Sequence, residues 1–233
     1  MPLFSIIIPS YNRGHFLTAT IQSVLKQDFT DFEILIIDDG STDNTSAIVH
    51  ELIAKHACVR YFLKANEERA AARNYGIKEA KGELIVFLDS DDEFLPGHLS
   101  HLKNLADEHP KINFFATKFD FIENGLVFKA PIDQLQEGIY DYKILKKGNP
   151  FACNVCIRNN NPDLRLFKAD RIYSGMEDWI FLFSNTWSQD LFLSEKTTVR
   201  MNEHPNRSMR FNKIIVEKRI LATQYIVKNF SLF

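Results

Sequence analysis

Four short apolar runs, at Phe4 to Ile8, Glu33 to Ile37, Val59 to Leu63 and Leu84 to Leu88, alternate with stretches of helical spacing, and this alternation constrains the fold most. The runs show no clean two-residue alternation of apolar and polar residues, so they suit strands covered on both faces of a parallel sheet. Between them Leu17, Ile21 and Leu25 fall four apart, as do Ile48 and Leu52. Glu68 to Ala80 reads as a further helix, with Gly82 placed to end it. Strands alternating with helices of this length predict right-handed βαβ units. The expected class is α/β: a doubly wound, mainly parallel sheet with helices on both faces.

The second half changes character. Phe114 to Phe121 and Gly125 to Lys129 read as a hairpin around Glu123-Asn124-Gly125. A loop at Asn159 to Pro162 precedes a helix beginning near Glu177-Asp178-Trp179, and strand-like pieces return at Leu191 to Leu193 and Thr197 to Met201. No true linker intervenes. The chain reads as one domain with two halves, residues 1–110 and a smaller mixed half at 111–233 that ends in a helix.

Composition removes several classes. With 45% hydrophobic residues, 20 of the 233 being Phe, the chain can bury a sizeable core. A net charge of -2 and a pI near 6.4 argue against a nucleic-acid partner. Cys153 and Cys156 form a C-x-x-C without a second pair, so structural zinc is disfavoured and free thiols in a reducing compartment are expected. If Cys153 to Cys156 is a strand, its two thiols face opposite sides. No apolar run reaches membrane-spanning length, and the opening residues lack a signal-peptide pattern, so a cytoplasmic location is expected.

In an open parallel sheet, ligands bind outside the carboxyl ends of the strands. Three polar clusters stand there: Pro9-Ser10-Tyr11-Asn12-Arg13, Asp38-Asp39-Gly40-Ser41-Thr42-Asp43, and Asp89-Ser90-Asp91-Asp92. Carboxylates gathered at the mouth of a buried strand repel one another and call for a counter-charge. Hard oxygen ligands suit Mg²⁺ or Mn²⁺, which take the remaining ligands from phosphate. Alone, the third cluster could be a solvated acidic turn before a helix near Pro96, and the second could be ordinary turn and capping residues. Three clusters on one rim favour a site. Tyr11 can stack on a base, and one carboxylate can accept from a base N–H or a ribose hydroxyl.

Pro9-Ser10-Tyr11-Asn12, Ile36 to Asp43, Ala72-Arg73-Asn74-Tyr75-Gly76, Phe87 to Asp92 and Glu177-Asp178-Trp179 occur in the same order as in family 2 glycosyltransferases of the GT-A fold, which the chain resembles from residue 3 to about 210. The resemblance implies an inverting, metal-dependent transferase using a nucleoside-diphosphate sugar, a UDP-sugar above all, and a glycan or lipid-linked acceptor in bacterial-type surface glycan assembly. It implies that residues 1–110 bind the donor and 111–233 the acceptor. Pro9, Tyr11, Asn12 and Arg13 would line the nucleotide pocket with Asp38, Asp39 would contact uracil, and Arg73 would lie on the nucleotide side. Asp89, Ser90 and Asp91 match the D-x-D site, with Asp89 and Asp91 serving ribose and metal and Asp92 assisting. Asp178 would be the catalytic base with Glu177 beside it, its ionised form favoured by the helix dipole. Ordinary helix capping is the plainer reading of that pair.

His204 follows the last strand-like piece, where the resemblance implies a mobile loop whose His joins the metal or the diphosphate. From Glu195 to Arg219 seven basic residues, Arg207 and Arg210 among them, face three Glu, a local net of +4 that can meet the diphosphate or an anionic membrane surface. A peripheral position at the inner face of the membrane is compatible with that. Ile214, Ile215, Ile220, Leu221, Tyr225 and Ile226 are expected to pack on the body or on a second subunit, which leaves a homodimer open. Two rivals remain. A sugar-nucleotide pyrophosphorylase would want a Gly-rich basic loop after the first strand, and Ser10 to Gly14 has one Gly. A non-catalytic sugar-nucleotide-binding relative or partner subunit would show a broken metal site or a missing base, and neither is seen.

Overall fold

The structure, a computed structural model, describes residues 1–204 and 213–230. Its first four strands are the apolar runs: β1 (Phe4–Ser10), β2 (Phe32–Asp38), β3 (Val59–Leu63) and β4 (Leu84–Phe87). They lie parallel in the order β3-β2-β1-β4. β1, β2 and β4 are buried almost throughout, which is why no polar alternation marks them. The crossovers are α1 (Gly14–Leu25), α2 (Thr45–Ile53) and α3 (Glu68–Glu79). Because β2 and β3 add on one side of β1 and β4 on the other, right-handed connections put α1 and α2 on one face and α3 on the opposite one.

Two glycines fix how closely these layers approach. A β-carbon at Gly76 would stand 2.5 Å from Ile7 Cγ2, so only glycine lets α3 lie this near β1. Gly82 does not end the helix, which stops at Glu79. It is needed where the chain crosses β1, since a β-carbon there would stand 2.6 Å from the Ser5 nitrogen.

The second half continues the same sheet. β5 (Glu93–Phe94) and α4 (His98–Glu108) precede the hairpin of β6 (Phe114–Glu123) and β7 (Leu126–Lys129). β8 (Gly138–Tyr140), β9 (Val155–Arg158), α5 (Glu177–Thr186), β10 (Leu191–Asn202) and α6 (Lys213–Phe230) follow. β9 runs antiparallel between β4 and β6, and β10 lies parallel to β6 on the far side. Ten strands among the described residues thus form one sheet. The two pieces expected at Leu191 to Leu193 and Thr197 to Met201 are a single strand, β10. Register shifts between Ser194 and Val199 break its pattern without ending its pairing to β6. Cys153 precedes β9 and Cys156 lies buried within it.

Phenylalanines build the floor beneath the sheet's rim. Phe167 and Phe181 stack with centroids 3.8 Å apart, and Phe87 meets both edge-on at 5.3 and 6.1 Å. On α6, Ala222, Ile226 and Phe230 are buried and Ile215 and Tyr225 pack partly on the core. Ile214, Ile220 and Leu221, expected to pack as well, stay exposed because they fall on the helix's outer arc. Arg207 and Arg210 lie outside the described residues.

Candidate functional site

The carboxyl ends of β1, β2 and β4 open into one cavity of about 410 Å³, a size typical of small-molecule sites. The end of β1 contributes Pro9, Ser10, Tyr11 and Arg13, and the end of β2 contributes Asp39. The loop after β4 adds Asp89, Ser90 and Asp91, and α3 adds Arg73. The opposite wall comes from the second half and includes Cys153, Glu177 and Asp178. Tyr11 is 48% exposed, so its ring is free to meet a ligand. Ser10 Oγ and Arg73 Nε are buried with no hydrogen-bond partner among the described residues. Both residues belong to the cavity wall, where stranded polar groups mark places for a ligand or water.

Asp39 is buried, and its Oδ1 accepts from Lys64 Nζ at 2.7 Å and from the Glu67 N–H at 3.0 Å. That wiring fixes the carboxylate against the loop after β3. Four other candidates do not line the cavity: Asn12, Asp38, Asp92 and His204, the last of which meets Asp91 beside it. Asn12 clasps the second cluster, its Oδ1 accepting from the Thr42 and Asp43 amides. Asp38 caps the Ser41 N–H at 2.7 Å and takes the Tyr61 hydroxyl at 2.6 Å. Asp92 Oδ1 takes the Asn202 N–H at 2.9 Å, which ties the acidic turn to β10. Asn12, Asp38 and Asp92 thus shape the loops that carry the cavity residues.

Arg73 is the buried hub of the site, neither a surface charge nor a solvated one. Its Nη2 donates to Asp89 Oδ1 at 2.6 Å and its Nη1 to Glu177 Oε1 at 3.0 Å, while Cζ lies 5.4 Å from the Phe167 ring. Burial opposes its charge, but Cys153 and the Asp89 and Glu177 carboxylates beside it hold its pKa well above the ordinary value. Glu177 Oε2 also accepts the Gly175 N–H at 2.5 Å, and Asp178 Oδ1 accepts the Trp179 N–H at 2.8 Å at the head of α5. The helix was expected to keep Asp178 ionised. Burial first, and then the Glu177 charge, instead push its pKa up to about 6.

Asp91 Oδ2 lies 3.0 Å from His204 Nε2 and 3.7 Å from Arg13 Nε. His204 Nδ1 is buried without a hydrogen-bond partner among the described residues. No cluster of three His, Cys, Asp or Glu that could hold a metal occurs among the described residues. An open set of one carboxylate and one imidazole, with Asp89 on the same wall, still fits Mn²⁺ or Mg²⁺, which draw most of their ligands from phosphate and water.

The family model described as Glycosyl transferase family 2 matches residues 5–212. The chain belongs to glycosyltransferase family 2. An uncharacterized glycosyltransferase of Rickettsia felis is 56% identical over 97% of this chain and 37% of its own length. The GalNAc(5)-diNAcBac-PP-undecaprenol beta-1,3-glucosyltransferase of Campylobacter jejuni is 41% identical over 46% of this chain and 36% of its own. The chain therefore spans little more than a third of the length of these curated relatives. The crystal structure of S. aureus TarS 1-349 in complex with UDP-GlcNAc matches with a TM-score of 0.79 at 22% identity, covering 100% of this chain and 68% of that one. That likeness gives the family 2 chain the expected GT-A fold.

In this family 2 chain, several cavity residues stand outside the motifs read from sequence: Asn66, Glu68, Arg69, Ala152, Arg171 and Gly175. Arg69 had a readable signal, since it lies one helical turn before Arg73 and reaches the same Glu177 at 3.5 Å. Arg171 had none. It crosses from the second half to Glu68 Oε1 at 3.0 Å and Asn66 Oδ1 at 2.8 Å, a pairing that only the fold creates.

Proposed function

We propose that the chain binds a UDP-sugar and transfers its sugar, with inversion, to a glycan or lipid-linked acceptor in bacterial-type surface glycan assembly. The observation that carries this reading is convergence: Tyr11, Asp39, Asp89, Asp91 and Asp178, from four segments of the chain, share one cavity. Tyr11 stacks on the base and the Asp39 carboxylate accepts its N–H. Ser10 Oγ and Arg73 Nε, unpartnered in the wall, take ligand oxygens. Asp178 accepts the proton of the acceptor hydroxyl as that oxygen attacks the anomeric carbon, and the bond to the diphosphate breaks on the opposite face. A single displacement needs one such carboxylate, so inversion follows from the reading.

Asp91, Asp89 and His204 would hold Mn²⁺ or Mg²⁺, which would supply positive charge against that growing on the departing diphosphate. The lining supports a cation, because four arginines there face six carboxylates, and a diphosphate would otherwise meet net negative charge. The TarS complex, which holds UDP-GlcNAc, supports the donor class. The undecaprenol-linked substrate named for the C. jejuni relative supports a lipid-linked acceptor and, with it, a position at a membrane surface. Among the described residues, no helix is long and apolar enough to cross it.

The test is a thermal-shift series with UDP, GDP, ADP and CDP, each in EDTA and in Mn²⁺. UDP should raise Tm most, and more with Mn²⁺, since saturation at a hundred times Kd stabilises by about 2.7 kcal/mol. Asp91→Ala should abolish the Mn²⁺ increment. A Tm unmoved by every nucleotide would overturn the donor reading, and equal shifts in EDTA and Mn²⁺ would overturn the metal.

A further inference from the structure

Asn149 belongs to none of the sequence motifs, yet all its hydrogen-bonding groups are engaged beside the site. Its Oδ1 accepts the Phe151 N–H at 3.0 Å, and its Nδ2 donates to Ala152 O at 2.7 Å and to Asp178 Oδ2 at 3.1 Å. The partners fix which side-chain atom is nitrogen: an N–H faces the oxygen, while a carbonyl and a carboxylate face the amide. The loop it closes is anchored by the fully buried Phe151 and carries Ala152 at φ 51°, a left-handed conformation costly for a non-glycine residue. That conformation brings Ala152 and Cys153 to the cavity wall. Asp178 is consequently held at both oxygens, Oδ1 by the Trp179 N–H of its own helix and Oδ2 by this loop.

We propose that Asn149 is a positioning residue for Asp178, fixing the plane of its carboxylate and favouring its unprotonated form through the N–H donated to Oδ2. The proposal rests on the reading of Asp178 as the base. The charged and titratable groups facing Asp178 are Glu177 on α5, Arg73 and Arg69 on α3, and the Cys153 thiol on the loop. Burial and Glu177 favour the protonated acid, and the two arginines oppose them. A neutral N–H donor shifts that balance toward the carboxylate without adding charge.

The decisive measurement needs no substrate. In protein carrying ¹³C-labelled aspartate, the Asp178 carboxyl carbon is assigned by its loss in Asp178→Asn and titrated by NMR. Asn149→Ala should raise its midpoint by about one pH unit, a tenfold change in proton affinity, with UDP affinity within about twofold of wild type. Asn149→Asp keeps the acceptor for Phe151 but sets oxygen against oxygen at Asp178, and should raise the midpoint further. Midpoints unmoved in both variants would overturn the proposal. Donor hydrolysis by water, with the UDP-sugar that binds best, separates positioning from general loop damage. Asn149→Ala should slow wild type about tenfold and leave Asp178→Asn no slower than before. An equal further loss in the Asp178→Asn background would overturn the positioning role. Undiminished turnover by Asp178→Asn itself would instead remove Asp178 as the base, while the midpoints would still decide whether Asn149 holds it.

Discussion

The Asp178 carboxyl accepts the Trp179 N–H at the head of α5, which favours its ionised form, while burial and the adjacent Glu177 charge favour the acid and prevail. A base must be unprotonated to act, so turnover should fall about tenfold per pH unit below roughly 6 and level off above it. Asp178→Asn should lower turnover by about 10²–10⁴-fold while UDP affinity stays constant, because the amide cannot take the proton. The same residue should mark stability in the opposite sense. Its folded pKa of about 6 exceeds the ordinary 3.8, so its contribution to folding is fully present below 3.8 and lost as pH rises through 6. Asp178→Asn should therefore melt higher than wild type at pH 7.5 and lose that advantage near pH 4, as calorimetry at the two pH values would read. Equal Tm differences at both would show that the carboxyl is not strained by its surroundings.

At the scale of elements, α3 shows what patterning can and cannot tell. Its apolar and charged residues mark a helix, and Arg73 is singled out by motif, but the reason for Gly76 appears only in the 2.5 Å approach to Ile7. Gly76→Ala should force α3 away from β1 and cost about 1–3 kcal/mol, the usual range for overpacking a core. Chemical denaturation would read this as a lower midpoint with unchanged slope, and UDP binding should weaken because Arg69 and Arg73 move with the helix. An unaltered midpoint would mean that Ile7 simply turns aside. β1, β2 and β4 were legible because double burial leaves continuous apolar runs, and their polar ends declared the rim. β5, with two residues, and β8, with three, are too short to carry a period. That the side chains of Asn12, Asp38 and Asp92 turn to neighbouring loops and do not line the cavity was not legible, for a related reason. Their motifs place them at the rim, but side-chain direction within a tight turn is set by the nearest unsatisfied amide, which spacing does not reveal. Asn149 and Arg171 were invisible because their partners lie 29 and 103 residues away.

Across the whole molecule, α3 is the tie between the two halves around the cavity. Asn74 holds the Phe167 backbone from both sides, Nδ2 donating to its carbonyl and Oδ1 accepting its N–H, each at 2.9 Å. One helical position earlier, Arg73 joins Asp89 of the first half to Glu177 of the second. An ion pair this deeply buried is matched by its partners, so removing one member costs more than removing both. Arg73→Met keeps the aliphatic stem over Phe167 but leaves Glu177, 2% exposed, without its nearest cation. The expected loss is about 3–5 kcal/mol, or a Tm lower by on the order of 10 °C. Adding Glu177→Gln to Arg73→Met removes the stranded charge and should recover part of that Tm, although turnover should not return, since Asp89 has also lost its Arg. UDP affinity should fall in both variants, linking the tie to the donor site. If the double variant melts as low as the sum of the two single losses, Arg73 stabilises the halves by packing on Phe167, and the charge across the cavity plays no part in joining them.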